Sequence, residues 1–312
     1  MSRSPLERQA TAHHPEFPLT ARKRHRDARL LMDTVTFRVP ATTANLGPGY
    51  DALGVALQIY NRVTVRRVGD GEAHRVENMP AAAAAMFFAK SDCHPFPFVW
   101  EISGDVPRSR GMGSSVTVRL GLLAGLNELA GAPLDRNALF KICAELEGHP
   151  DNAAPAAFGG FTVAGGKEVA RFEVAPELHF VLLIPDFEIA TPDARRVLPD
   201  TIDRLDAALS CANACRITAA FASKNYRLLR GAFGDHLHQP YREKALIPFL
   251  TAVISSGKRA GALGGFLSGS GSTICCVTLE DPEAVARSMF AAAPPGSRTL
   301  ITQADNDGAQ HV

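Results

Sequence analysis

Nine consecutive residues, Pro107-Arg108-Ser109-Arg110-Gly111-Met112-Gly113-Ser114-Ser115, have the composition to grip a polyphosphate. Two glycines free the backbone to turn its amides inward. The apolar-periodic segment 116–130 behind them predicts a helix starting at Ser114, whose unpaired N–H groups and positive dipole end aim at the same point. That is an anion cradle. Ser114 and Ser115 are expected to cap the helix, and either hydroxyl also suits a phosphate-bound Mg²⁺, a hard cation that takes oxygen ligands. Read alone, the same run is an ordinary loop with a serine cap, so the rest of the chain must decide.

Three other stretches bear on it. In Asn45-Leu46-Gly47-Pro48-Gly49-Tyr50-Asp51-Ala52, an amide and a carboxylate flank a tight turn and could clamp a small polar substrate carrying an ammonium group; the bland alternative is a turn stabilised by its own Asx side chains. In Glu147-Gly148-His149-Pro150-Asp151-Asn152, a carboxylate ends a helix, where the dipole disfavours negative charge unless a cation compensates it, and Mg²⁺ would do so. Glu145 points elsewhere on that helix and is the reserve ligand, while His149 reads as a structural donor. The third stretch, 261–273, contains Ser268-Gly269-Ser270-Gly271 and is a glycine-rich turn between two strands that permits close approach of a ligand or another backbone.

The elements that must hold these groups follow from periodicity. Strands are expected over 35–40, 55–68 and 98–103, and helices over 80–90, 114–130 and 136–147, the last two stopped by Gly131 and Gly148. Strands near 161–174 and 179–184, a long helical region over 202–230, a helix over 243–256, strands near 261–267 and 273–279, a helix over 282–293 and a last strand near 298–302 complete an α+β pattern. The G-x-G-x-x-A match at Gly47–Ala52 would suit a dinucleotide site only if a long helix followed it, and 55–68 reads as β. There is no Walker A lysine and no nucleophile elbow.

Composition narrows the class further. Lys and Arg number 33 against 32 Asp and Glu, and seven of the basic residues fall in 1–31, which reads as a disordered basic extension. The remainder is slightly acidic, which argues against a nucleic-acid surface. No apolar run approaches the ~18 residues a membrane helix needs, and no signal-peptide core follows the early charges. Six cysteines without a C-x-x-C spacing fit reduced thiols and a cytoplasmic location.

Taken together, Pro-x3-Gly-x-Gly-Ser-Ser, the early Ala-Asn-Leu-Gly-Pro-Gly-Tyr-Asp and the late Leu-Ser-Gly-Ser-Gly resemble the GHMP kinase superfamily. Within it the chain is most similar to the homoserine kinase family, through Glu147 to Asn152, through Thr191-Pro192-Asp193-Ala194-Arg195-Arg196-Val197-Leu198-Pro199 and through Arg242. Met112, the pair Val116-Thr117 and Ser272 depart from that family's usual Leu, Ala-Ala and Pro. The resemblance implies a two-domain GHMP kinase fold: an N-terminal ATP-binding domain over 32–176 with a left-handed βαβ crossover, and a ferredoxin-like C-terminal domain over 177–312. It implies ATP and Mg²⁺ as cofactors, L-homoserine as the small-molecule substrate, and room for a homodimer. The residues 107–115 and Ser268, Gly269, Ser270 and Gly271 would hold ATP, and Ser114, Ser115 and Glu147 the metal. Asn45, Asp51, Asn152, Arg195 and Arg242 would contact the amino acid, with Asn152, Glu147 and Ser115 as the catalytic set. Asn152 falls where relatives such as mevalonate kinase carry an Asp, so the expected catalysis is alignment and charge neutralisation without a strong protein base.

Overall fold

The computed structural model describes residues 33–69, 78–165 and 168–312, so the basic segment 1–31 lies outside the described residues. The first sheet contains β1 (Thr34–Ala44), β2 (Leu53–Arg67), β3 (Phe98–Gly104), β4 (Phe161–Gly165), β5 (Glu168–Phe172) and β10 (Gln310–His311). Every pairing in it is antiparallel. Fifteen-residue β2 is its spine: β1 runs along one edge, while β3 and β4 share the other, pairing with Asn61–Arg67 and Leu53–Val55. The chain leaves β3 and returns as β4 through α2 (Ser114–Leu129), α3 (Arg136–Glu147) and α4 (Ala153–Phe158), and this crossover carries the phosphate-loop candidate at its start.

The second sheet, β7-β8-β6-β9, is built from β6 (His179–Ile184), β7 (Gly264–Leu267), β8 (Ile274–Thr278) and β9 (Arg298–Thr302). Helices lie between β6 and β7, and α9 (Pro282–Ala291) lies between β8 and β9. The resulting βαββαβ order with antiparallel pairing is the ferredoxin-like arrangement. The chain end then leaves this sheet, and β10 pairs with β1 of the first.

Local chemistry explains where expectation and structure part. The long helical region is α6 (Arg204–Ala222) followed by a short 3₁₀ turn, Tyr226–Leu229. The single helix expected over 243–256 is two, α7 (Gln239–Ala245) and α8 (Leu250–Arg259), broken around Pro248, which cannot donate into a helical ladder. The 14-residue α1 (Asn78–Ser91) and the short α5 (Thr191–Arg196) complete the helices. The hydroxyl cap expected for α2 does not form: Gly113, with φ 67°, is the N-cap, and no side chain caps the helix start.

One core cluster joins the two sheets, and at its centre Phe161 of β4 stacks on Phe221 of α6 with ring centroids 4.1 Å apart and planes 9° from parallel. Phe221→Leu keeps most of the apolar volume and loses the ring pairing. It is expected to destabilise the protein by about 1–2 kcal/mol, measured by urea unfolding with an unchanged denaturant slope.

Candidate active site

A cavity of about 630 Å³ opens between the two sheets' elements. The phosphate-loop candidate forms one wall. Gly111 has φ 71° and Gly113 φ 67°, both in the left-handed region that glycine occupies without strain. Between them Met112, 1% exposed, is an apolar peg in the core, so the loop is pinned by its middle residue. Thr42, near the end of β1, donates its backbone N–H to Met112 O at 3.2 Å.

The second glycine-rich turn is stitched over that loop. Ser268 Oγ donates to Gly111 O at 2.7 Å, Thr273 N–H donates to Arg110 O at 3.2 Å, and Ile189 N–H donates to Ser109 O at 3.1 Å. Ser272 donates its hydroxyl to Phe187 O at 2.7 Å. Of the residues expected to hold ATP, Arg108 to Ser115, Gly269 and Ser270 line the cavity. Pro107 lines a smaller neighbouring cleft instead, and Ser268, fully buried, acts as a strap between Gly111 and Thr43.

Ser115 and Glu147 meet from two helices: Ser115 Oγ donates to Glu147 Oε2 at 3.0 Å, and both residues line the cavity. A hydroxyl and a buried carboxylate side by side are an oxygen-donor set that fits Mg²⁺. The charge that balances Glu147 within the chain is Arg119, whose guanidinium contacts Glu147 Oε1. Glu145 faces away, exposed and 3.7 Å from Lys90, which removes it as the reserve ligand.

On the opposite wall Asp51 and Arg195 form a two-pronged pair at 2.8 and 3.1 Å, and Arg195 also donates to the Tyr50 hydroxyl at 2.7 Å. Arg242 is buried and donates to Gly269 O at 2.9 Å and Ala194 O at 3.1 Å, yet it too lines the cavity. Burial lowers its pKa below the usual arginine value. The Asn45 amide is engaged in holding the turn, donating to Gly269 O at 3.1 Å and accepting from Asp51 N–H at 3.0 Å, as the bland Asx reading required. Asn152 is fixed by Thr42, which donates to Oδ1 at 2.6 Å, and by its own donation to Asp151 at 3.2 Å. His149 lies 2.5 Å from Asp151. Burial disfavours its imidazolium, but that hydrogen bond and charge outweigh burial and leave the pKa raised. The oxygens and ring nitrogen of Asp51, His149 and Asp151 come within 4.8 Å of one another, though Arg195 and His149 already engage the two carboxylates.

Residues that periodicity did not single out line the rest. Met79, Pro80, Trp100, Ile102 and Val106 give the cavity an apolar end, and Asn61 lies beside them. Trp100 is the chain's one tryptophan, and its place on β3, which pairs with β2 alone, could not be read from the sequence.

His238 ties these walls together and is fully buried. Its Nε2 lies 2.8 Å from Gly47 O and its Nδ1 3.2 Å from an Arg242 Nη, so the partners fix the neutral tautomer with the proton on Nε2. A second proton would face a guanidinium. Burial first, with Arg242 adding and Asp235 opposing, lowers its pKa to about 4. Below the usual imidazole pKa of about 6.5 the unfolded chain binds a proton that the folded protein refuses. Stability is therefore full above that value and is lost as pH falls toward 4. Melting curves between pH 7 and pH 4.5 are expected to show that loss, and His238→Asn to flatten it.

Residues 78–160 match the family described as GHMP kinases N terminal domain, and 217–295 match GHMP kinases C terminal. The chain is 39% identical to a homoserine kinase of Clostridium beijerinckii over 262 residues, covering 80% of this chain and 88% of that protein. It is 39% identical to one of Microchaete diplosiphon over 303 residues, covering 90% and 98%. The crystal structure of homoserine kinase from Cytophaga hutchinsonii superposes with a TM-score of 0.81 at 24% identity, over 90% of this chain and 98% of that one, a likeness of fold. Among the described residues no helix is long and apolar enough to cross a membrane.

Proposed function

Because the chain belongs to the homoserine kinase family of the GHMP kinases, we propose that it moves the γ-phosphoryl group of ATP onto the side-chain hydroxyl of L-homoserine, giving O-phospho-L-homoserine and ADP. The observation that carries this reading is that one cavity has a glycine-rich anion cradle on one wall and a carboxylate beside two arginines on the other. A nucleoside triphosphate and a zwitterionic amino acid are the two ligands that such walls complement. The apolar end at Trp100, Ile102 and Met79 suits a purine.

Each residue then has a role its chemistry allows. The amides of 111–115 and the uncapped start of α2 hold the phosphates. Ser115 and Glu147 would hold Mg²⁺, with Ser114 beside them; when bound, the cation neutralises charge on the phosphates. Asp51 takes the ammonium group, while Arg195 and Arg242 take the carboxylate, for which a planar guanidinium is suited. Asn152, fixed by Thr42 and Asp151, orients the hydroxyl. The hydroxyl oxygen bonds to the γ-phosphorus as the bond from that phosphorus to the β–γ bridging oxygen breaks, ADP leaves with the bonding pair, and the hydroxyl proton passes to a phosphate oxygen or to water. Asn152 cannot take that proton. A loose transition state tolerates this, since positioning and charge neutralisation do most of the work. The reading includes a cytoplasmic enzyme.

The test is ADP release with L-homoserine, D-homoserine, L-threonine and mevalonate as acceptors, each with and without Mg²⁺. Metal-dependent turnover with L-homoserine as preferred acceptor is expected. A preference for mevalonate, or turnover with no acceptor preference, would reject the assignment.

A further inference from the structure

Arg119 has no place in the anion cradle or the amino-acid wall, yet it touches the proposed metal ligand. It stands one turn beyond Ser115 on α2, so both side chains rise from the same helix face toward the end of α3. They divide the Glu147 carboxylate between them: Ser115 takes Oε2 at 3.0 Å and Arg119 contacts Oε1. Glu147 lines the cavity and Arg119 does not, so the guanidinium approaches the carboxylate from behind. The Glu147 side chain is 8% exposed and that of Arg119 20%. Beneath them Cys143 is fully buried, its thiol pushed far up by burial and then by the Glu147 charge, while Arg119 pulls the other way. The pair thus sits on an apolar floor where charges are weakly screened.

The contact is made by proximity rather than by alignment. Arg119 Nε and Glu147 Oε1 are both buried without an aligned hydrogen-bond partner, unlike the two-pronged pair of Arg195 and Asp51. We infer that Arg119 is a built-in counter-cation for Glu147, holding the carboxylate in place when no metal is bound and weakening its grip on a divalent cation when one is. Arg119 is a positioning residue acting through Glu147, and the inference rests on the reading of Ser115 and Glu147 as the metal site. A fixed positive charge behind the ligand lowers the site's attraction for a second cation, so the enzyme holds its metal loosely enough for the nucleotide to carry it in and out.

The test compares the affinity of a non-hydrolysable ATP analogue, by calorimetry, with saturating Mn²⁺ and with a chelator. The ratio of the two affinities isolates the metal's contribution. Arg119→Gln and Arg119→Met are expected to raise that ratio about tenfold, because the like charge that opposes a bound cation is gone. Arg119→Lys, which keeps the charge, should leave it at the wild-type value. A purely structural role predicts the opposite, since a displaced Glu147 lowers the ratio. If the wild-type protein shows a ratio above one and both neutral variants keep or lower it, the role of Arg119 is overturned and the metal site stands. A wild-type ratio of one overturns the metal site and this inference with it. Should Arg119→Gln fail to fold, as judged by circular dichroism, Arg119→Met provides the same comparison.

Discussion

Gly111→Ala is expected to lower kcat/KM for ATP by about 10²-fold or more, the scale of loss that a misplacement near 1 Å produces in a pre-aligned site. Two separate costs meet at this position. The residue holds φ 71°, which a side chain makes strained. A Cβ there would also collide with the Ser268 carbonyl and lie 2.8 Å from Gly271 N and 2.9 Å from Gly271 O. All three are backbone atoms of the turn strapped over the loop, so none can swing aside as a side-chain tip would. Relief requires the loop and strap to separate, which breaks the hydrogen bond from Ser268 Oγ and turns the loop amides away from the phosphates.

Gly131→Ala separates the two costs. Gly131 has φ 86°, follows the end of α2, and a Cβ on it would meet nothing within 4 Å. It carries the same conformational penalty, roughly 1 kcal/mol, with no collision. Its melting temperature should fall by a few degrees and its kcat/KM should be that of the parent. If Gly111→Ala behaves like Gly131→Ala, with lower stability and unchanged kinetics for ATP, the loop around Gly111 does not hold the nucleotide.

The contrast between these glycines also marks what the sequence could convey. Gly-x-Gly before a helix was legible as an anion cradle because the conformational freedom of glycine and the helix start are local properties. The ends of α2 and α3 were legible for the same reason, through Gly131 and Gly148. The strap over the cradle was visible only as a second glycine-rich turn. Its contact with Gly111 links residues 157 positions apart, and no local pattern encodes that pairing. Arg119 was hidden within an apolar-periodic helix, since its meaning comes from which residue ends the next helix. The same holds for Trp100 and for β10, whose roles depend on which strand edge faces what. The helix end at Glu147 was legible as a place that needs a compensating cation, but not that the fold supplies one as an arginine from the neighbouring helix. Pro248, by contrast, was a local signal, and a continuous helix across it contradicted that residue's own chemistry.

Arg195→Met is expected to reduce kcat/KM for L-homoserine by about 10²-fold or more with little change in KM for ATP or in melting temperature. Arg242 is the poorer probe of the same wall, because it is buried and its removal would strip donors from Gly269 O and Ala194 O, mixing folding with binding. Arg195 and Asp51 have side chains 38% and 33% exposed, so in the free protein their attraction is screened and contributes about 0–1 kcal/mol. Once an amino acid fills the cavity, the same charges lose their water. Truncating one member of a desolvated charge pair then costs about 2–5 kcal/mol, and about 1.4 kcal/mol is a tenfold change. The loss therefore appears in the substrate's kinetics and hardly in unfolding. Arg195→Lys should restore only part of it, because an ammonium cannot give the two parallel hydrogen bonds the guanidinium makes to Asp51. The Asp51→Asn and Arg195→Met double variant should lose less than the sum of the single losses, since each change already leaves the other's charge without its partner. Additive losses would mean that the two residues act on the substrate independently. A large drop in melting temperature with unchanged homoserine kinetics would make the pair a structural clasp and place the amino acid elsewhere in the cavity.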